Sequence, residues 1–140
     1  MPPRTLVAAV ALLAAACGGS SSSPDLPTTA FTQTDIRVGA GAEAVNGRNL
    51  TVHYTLWLYD PAGAEQKGRQ IETSAGGQPL VFRLGVGGVI PGWDQGVPGM
   101  KVGGLRRLII PPALAYGSVG QGSVPPHATL VFDIELLGVQ

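Results

Sequence analysis

Glycines and prolines recur at short intervals along this chain. Of its 140 residues, 21 are glycine and 12 are proline, and these two residue types interrupt regular structure most strongly. We therefore expect many turns and short elements, which favours strands over helices. Apolar residues make up 44% of the chain, enough to bury a core, so we do not expect a disordered protein.

Five segments have the features of strands. The clearest is LTVHYTLWLYD (50–60), in which alternation places Val52, Tyr54 and Leu56 on one face. The segment HATLVFDIELLGV (127–139) alternates in the same way. The other three candidates span residues 31–39, 79–85 and 105–112.

Only one segment is a credible helix, and it is short. It runs from about Val89 to Met100, within GGVIPGWDQGVPGM (87–100). The broken stretches 61–70 and 113–126 are interpreted as loops, the first as a loop or flap. These elements predict an α+β domain, in which about five antiparallel strands wrap around one short helix. Trp93 then either plugs the open end of the sheet or forms the floor of a binding pocket.

Several kinds of chemistry lack their sequence patterns. His53 and His127 lie far apart, with no cysteine or carboxylate at ligand spacing, so we expect no metal site. YGSVG (116–120) lacks a residue that a nucleophile elbow needs between its first glycine and the serine. GVGGVI (85–90) ends in Ile90 where a dinucleotide fingerprint needs glycine. Nine basic residues balance nine acidic ones, which argues against nucleic-acid binding. We expect no cofactor.

Aromatic side chains remain as candidates for a site. Five of them lie on five different segments: Tyr54, Phe82, Trp93, Tyr116 and Phe132. Their spacing alone favours an ordinary aromatic core. The tyrosines also fit a groove, since a buried tyrosine hydroxyl needs a partner and can orient a ligand.

The N-terminal stretch is typical of an export signal. MPPRTLVAAVALLAAAC (1–17) contains Arg4, then an apolar run over residues 6–16, then Cys17. This run is shorter than the ~20 residues of a membrane-spanning helix, so we interpret it as a signal peptide. Cys17, the chain's only cysteine, stands where a bacterial lipobox places its lipidated residue, although Leu13 lies one position further away than usual. The alternative is an ordinary signal peptide with an incidental cysteine.

A polar segment over residues 18–30 follows Cys17. We interpret it as a flexible tether of roughly 20 Å, with the folded domain spanning 31–140. The sequence therefore predicts an extracytoplasmic lipoprotein of a bacterium, anchored to a membrane on the periplasmic or cell-surface side. Nothing in the sequence argues for oligomers, so we expect a monomer.

Four motifs resemble the FKBP-type peptidyl-prolyl cis-trans isomerases, in that family's order and near its spacing. They are VHYT (52–55), VIPGWDQGVPGMKVGG (89–104), PALAYG (112–117) and VPPHATLVFDIELL (124–137). The resemblance implies a curled antiparallel sheet with an apolar pocket beside the short helix. It also implies isomerase activity on proline-containing polypeptides, here exported proteins, and binding of the family's macrolide inhibitors.

The resemblance further implies which residues form the pocket. By their positions in the motifs they are Tyr54, Phe82, Val89, Ile90, Trp93, Tyr116 and Phe132. A proline ring would sit on Trp93, the backbone N–H of Ile90 would donate to the ligand, and Tyr116 would hydrogen-bond a substrate carbonyl.

Three departures from the family pattern affect this pocket. Ile71 and Glu72 stand where the family has Phe-Asp. The family's aspartate hydrogen-bonds near the pocket tyrosine, and the extra methylene of Glu72 would displace that carboxylate. The stretch 71–79 is one residue short, and Leu80 replaces a common aromatic. Ser123 stands where isoleucine is frequent and thins one wall. Because of these changes, a non-enzymatic module that binds proline segments is the alternative reading, and a purely structural surface lipoprotein is a third.

Overall fold

A computed structural model describes residues 26–140 of the chain. The predicted signal peptide with Cys17, and residues 18–25 of the predicted tether, lie outside the described residues. Within residues 26–140, no helix is both long enough and apolar enough to cross a membrane.

Six strands and one short helix make up the described part. They are β1 (Thr32–Arg37), β2 (Asn49–Tyr59), β3 (Lys67–Thr73), β4 (Leu80–Arg83), α1 (Pro91–Gly96), β5 (Leu105–Ile110) and β6 (Leu130–Val139). Two single 3-10 turns, Ala64–Gln66 and Pro112–Leu114, lie in the loops. The predicted α+β class, with an antiparallel sheet and one short helix, is confirmed.

Strand β3 is the element that the sequence reading missed. Residues 67–70 were expected to belong to a loop, but they pair with β2, with Trp57 opposite Gln70 and Tyr59 opposite Lys67. β3 pairs only with β2 and its residues are exposed or half-buried, so its sequence shows no apolar alternation. The sheet therefore has six strands where about five were expected, and the helix is shorter than predicted.

The longest strand, β2, is shared by three neighbours. The sheet order is β1-β5-β6-β2-β3, and β4 also pairs with β2. β3 pairs with the end of β2 from Thr55 onward, whereas β4 pairs with its beginning, from Asn49 to Val52. On the side of β2 that faces away from β6, the residues around Tyr54 therefore pair with neither β3 nor β4.

Alternate residues of the central strands face a single core. Its fully buried members include Leu50, Val52, Leu108, Ile110, Leu130, Ile134 and Leu136. Helix α1 lies close to β5 because Gly92 and Gly96 have no side chain there. A Cβ on Gly92 would lie 2.5 Å from Ile110 Cγ2, and one on Gly96 would lie 2.7 Å from Leu108 Cδ2. This close approach brings Trp93, which lies between the two glycines in the sequence, onto the sheet.

Candidate active site

A cavity of about 230 Å³ opens beside Trp93, where helix α1 meets the sheet. Its walls come from β2, β3, β4, α1, β6 and two loops. The lining residues are Tyr54, Leu56, Glu72, Leu80, Gly88, Val89, Ile90, Trp93, Tyr116 and Phe132. Of the eight residues that the sequence pointed to, all but Phe82 line this cavity.

Trp93 is held by aromatic rings on three sides. The rings of Tyr54, Phe82 and Phe132 each have their centroids 5.3 Å from that of the indole, at interplanar angles of 79°, 61° and 84°. Such edge-to-face contacts fix a ring more firmly than apolar burial alone. Phe82, itself buried, therefore supports the indole without lining the cavity. The indole N–H is buried and has no acceptor among residues 26–140.

The start of α1 presents a backbone donor beside the indole. Ile90 precedes the helix in an extended conformation, and Pro91 occupies the first helical position, where its fixed φ is suitable and its missing N–H costs nothing. The Ile90 carbonyl accepts from the Trp93 N–H at 2.9 Å. The Ile90 N–H donates to no backbone carbonyl within the described residues, which leaves it available to a ligand.

Asp94 holds the loop that carries Gly88, Val89 and Ile90. Its two carboxylate oxygens accept from the N–H groups of Gly85 and Gly87, at 2.8 and 3.0 Å. Both glycines have a positive φ, +85° and +79°, a conformation in which glycine carries no steric penalty. Sequence reasoning missed Asp94; the signal was an acidic residue in a short helix directly after a glycine-rich turn.

Ser74 fixes Tyr54 at the open edge of β2. The Ser74 N–H donates to the Tyr54 carbonyl at 2.9 Å, and the Ser74 hydroxyl accepts from the Tyr54 N–H at 2.8 Å. The backbone of Tyr54 is thus paired between β3 and β4, where no strand partner is present. This serine lies in a polar stretch, and nothing in the sequence marked it.

Backbone hydrogen bonds hold Tyr116 in the long loop after β5. The Gly117 N–H donates to the Pro112 carbonyl at 2.9 Å, and the Gly117 carbonyl accepts from the His127 N–H at 2.8 Å. The Tyr116 carbonyl itself accepts from Gly120 at 3.1 Å. His127 thus contributes its backbone here, which agrees with the absence of a catalytic pattern around it.

Glu72 supplies the only charge in the cavity wall. Burial, followed by the charge of Glu72 and a hydrogen bond to it, raises the pKa of Tyr54 to about 12. Burial and the Glu72 charge also raise the pKa of Tyr116. The charge of Glu72 therefore opposes the ionisation of both tyrosines. Both tyrosines remain protonated at neutral pH and can act as hydrogen-bond donors.

The part of the chain that the structure describes contains no cluster of metal-ligating side chains. No group of three or more histidine, cysteine, aspartate or glutamate side chains comes together among those residues. The cavity is instead an apolar, aromatic site with a few fixed polar groups, an arrangement suited to binding a small apolar ring in one orientation.

Comparison with known sequences gives a consistent family assignment. The profile of the FKBP-type peptidyl-prolyl cis-trans isomerases matches residues 41–137. The FK506-binding protein of Neisseria meningitidis serogroup B is 50% identical over 107 residues, which are 75% of this chain and 92% of that protein. FK506-binding protein 1 of Aspergillus oryzae is 40% identical over 105 residues, 72% of this chain and 90% of that protein.

Solved structures agree with the sequence matches. The crystal structure of AtFKBP13 superimposes with a TM-score of 0.68 at 42% identity, covering 79% of this chain and 93% of the other. FkpA from Escherichia coli gives a TM-score of 0.67 at 38% identity, covering 81% of this chain but only 51% of FkpA.

Proposed function

Because this chain belongs to the FKBP-type peptidyl-prolyl cis-trans isomerases, we propose that it catalyses rotation about Xaa-Pro bonds in the aromatic cavity beside Trp93. The observation that carries the proposal is the cavity itself, whose floor is an indole held by three edge-on rings. A proline ring has the size and the apolar character to rest on that floor.

The chemistry needs no nucleophile and no proton transfer to a fixed base. Rotation about a peptide bond meets a barrier of about 18–20 kcal/mol, because resonance gives the C–N bond partial double-bond character. The planar amide is more polar than the twisted one. A cavity lined by aromatic rings solvates the planar form less well than water does, and so lowers the relative cost of twisting.

Two donors hold the substrate on either side of the proline. The Tyr116 hydroxyl, protonated because burial and Glu72 raise its pKa, donates to the carbonyl of the residue before the proline. The Ile90 N–H, free within the described residues, donates to the carbonyl that follows the ring. Fixed donors of this kind orient the bond without having to reorganise during rotation.

The test is the cis-trans exchange rate of short Xaa-Pro peptides, measured by NMR with the full chain and without a coupling protease. We expect acceleration that an FK506-type macrolide abolishes. Trp93→Leu and Tyr116→Phe should each reduce it by about tenfold or more, the scale of one lost oriented contact in a transition state. Trp57→Phe is the matched control, because Trp57 alternates with the cavity residues of β2 and stacks on Lys67 instead.

These outcomes distinguish an isomerase from a non-enzymatic binding module. Unchanged rates in both cavity variants would overturn the site assignment. Macrolide binding without any acceleration would favour the alternative of a non-enzymatic module that holds proline segments.

The proposal also covers the location of the protein in the cell. The signal-like residues 1–17 and the tether-like segment 18–30 support a lipid-anchored protein outside the bacterial cytoplasm, acting as a monomer on exported polypeptides. Cys17→Ser should move the protein from the membrane fraction to the soluble fraction, whereas the control Ser21→Ala should not. Membrane retention of the Cys17 variant would contradict the anchor.

A further inference from the structure

A second cavity adjoins the first along the same face of the molecule. It has a volume of about 290 Å³, and it shares Leu56, Glu72 and Tyr116 with the cavity beside Trp93. The two cavities are therefore neighbouring parts of one groove, and these three side chains stand at their junction.

The outer wall of the second cavity is a tight turn with small side chains. Gln121 and Val124 form an isolated antiparallel bridge, with N–H to carbonyl distances of 2.9 and 2.8 Å in the two directions. The turn between them consists of Gly122 and Ser123. Ile71 on β3 completes the opposite side. Gly122 has no side chain and that of Ser123 is short, so this part of the wall leaves space in the cavity.

Glu72 is the one charged residue that lines either cavity. It takes part in none of the ion pairs found among residues 26–140, and its side chain is exposed. A carboxylate without a cationic partner, at the junction of two cavities, gives the second cavity a negative field. Gln121 and Ser123 add polar groups but no opposing charge.

The substrate residue that reaches this cavity is adjacent to the proline. Neighbouring Cα atoms are only 2.9–3.8 Å apart across a peptide bond, and the two cavities share a wall. Ile90, the proposed donor to the chain after the proline, lines only the first cavity. Tyr116, the proposed donor to the residue before the proline, lines both. A proline bound in this way would bring the residue before it, rather than the residue after it, nearest to the second cavity.

We propose that the second cavity is a subsite for the side chain of the residue before the substrate proline, and that Glu72 gives it a preference for lysine or arginine. The inference rests on the proposed function, since it concerns the choice among Xaa-Pro substrates of the same site. The aliphatic stem of such a side chain packs on Leu56 and Ile71, and its charged end meets the carboxylate.

The test compares exchange rates of peptides that differ only in the residue before proline: lysine, glutamine, glutamate or alanine. We expect catalytic efficiency for Lys-Pro to exceed that for Gln-Pro by about two- to fivefold, the range of an exposed ion pair, and Glu-Pro to be the poorest. The advantage should shrink as salt is raised, because added ions screen exposed charges.

Two variants with matched controls examine the subsite. Glu72→Gln should bring the ratio of Lys-Pro to Gln-Pro close to one, whereas Glu43→Gln, which removes an exposed carboxylate elsewhere, should leave the ratio unchanged. Ser123→Ile fills the second cavity and should slow Lys-Pro more than Ala-Pro. Ser118→Ile, in the same loop but outside both cavities, should not.

Each result supports or overturns the proposal. Acceleration of all four peptides without a charge preference would overturn the subsite and leave the isomerase function standing. A ratio of Lys-Pro to Gln-Pro that stays the same in Glu72→Gln would also overturn it. Failure to accelerate any peptide would overturn the proposed function and the subsite together.

Discussion

At the scale of single residues, Glu72 and Tyr54 are linked through charge. Burial and the neighbouring Glu72 raise the pKa of Tyr54 to about 12, so this tyrosine stays protonated through the mildly alkaline range. In Glu72→Gln we expect its pKa to fall, because the negative charge that opposes ionisation is gone while burial remains. NMR titration of ring-labelled tyrosine, assigned with Tyr54→Phe, measures the shift. An unchanged pKa in Glu72→Gln would contradict the contact.

Asp133 forms ion pairs with basic side chains from two other strands. It accepts from Arg107 at 2.7 and 2.9 Å and from Lys67 at 3.0 Å. Burial alone would raise the pKa of Asp133, but hydrogen bonds from Arg107 and Lys67, and their charges, lower it. A carboxylate with a lowered pKa stabilises the fold above its unfolded pKa of about 3.9 and loses that contribution as the pH falls through the folded value.

We therefore expect Asp133→Asn to reduce the free energy of unfolding at neutral pH by about 1–3 kcal/mol, the usual scale for a lost hydrogen bond to a charged group. The variant should also lose less stability than the unaltered protein between neutral pH and about pH 3. Urea unfolding at several pH values measures both effects. Equal losses in the two proteins would show that Asp133 does not govern acid sensitivity.

The aromatic residues of the site could be read from the sequence, whereas the residues that position them could not. Tyr54, Trp93 and Phe132 lie in motifs whose order and spacing identify them. Ser74 and Asp94 act by accepting from backbone N–H groups, and many polar side chains in loops do this without a recognisable pattern. Phe82 shows the opposite case, since its position was predicted but only the structure shows that it lies outside the cavity wall.

At the scale of elements, the loop before α1 depends on one carboxylate. Asp94→Asn removes the charge and replaces one acceptor oxygen by a donor, so at least one of the N–H groups of Gly85 and Gly87 loses its partner. We expect the loop bearing Val89 and Ile90 to move more freely, with catalytic efficiency reduced by about three- to tenfold, the cost of a contact of about 1 kcal/mol. Faster amide exchange at 85–90 would accompany the loss.

The same measurements separate positioning from general destabilisation. Gln95→Ala, at the next position of the helix and exposed, is the matched control and should keep both the rate and the exchange pattern. Normal efficiency in Asp94→Asn, with faster exchange at 85–90, would show that loop order is not needed for catalysis.

Strands β2 and β6, which have a clear apolar periodicity, were predicted from the sequence, whereas β3, which has none, was missed. β2 and β6 bury one face, so their alternation is visible in the residues themselves. β3 pairs with β2 alone and contains one large apolar residue, Ile71, so it shows no alternation. The strand forms because it pairs with β2, and this pairing depends on residues distant in the sequence.

At the scale of the whole molecule, ligand binding and folding are coupled through the cavity. Its walls come from β2, β3, β4, α1, β6 and two loops, so it exists only when these elements are assembled. An FK506-type macrolide at about one hundred times its Kd should add about 2.7 kcal/mol to the free energy of unfolding. Thermal unfolding with and without the macrolide measures this, and Trp93→Leu should abolish the increase. An unchanged midpoint, with macrolide bound, would contradict the coupling.

The position of β6 in the sheet has a consequence for how the chain matures. This strand follows all the others along the chain, yet it lies between β5 and β2 and pairs with both. A chain emerging from a ribosome with its N-terminus first exposes the other five strands before the one that joins them. The part of the sheet that contains β1 and β5 is paired with the part that contains β2, β3 and β4 only through Leu130–Val139. The sheet can therefore be completed only when this last strand pairs with both of its neighbours.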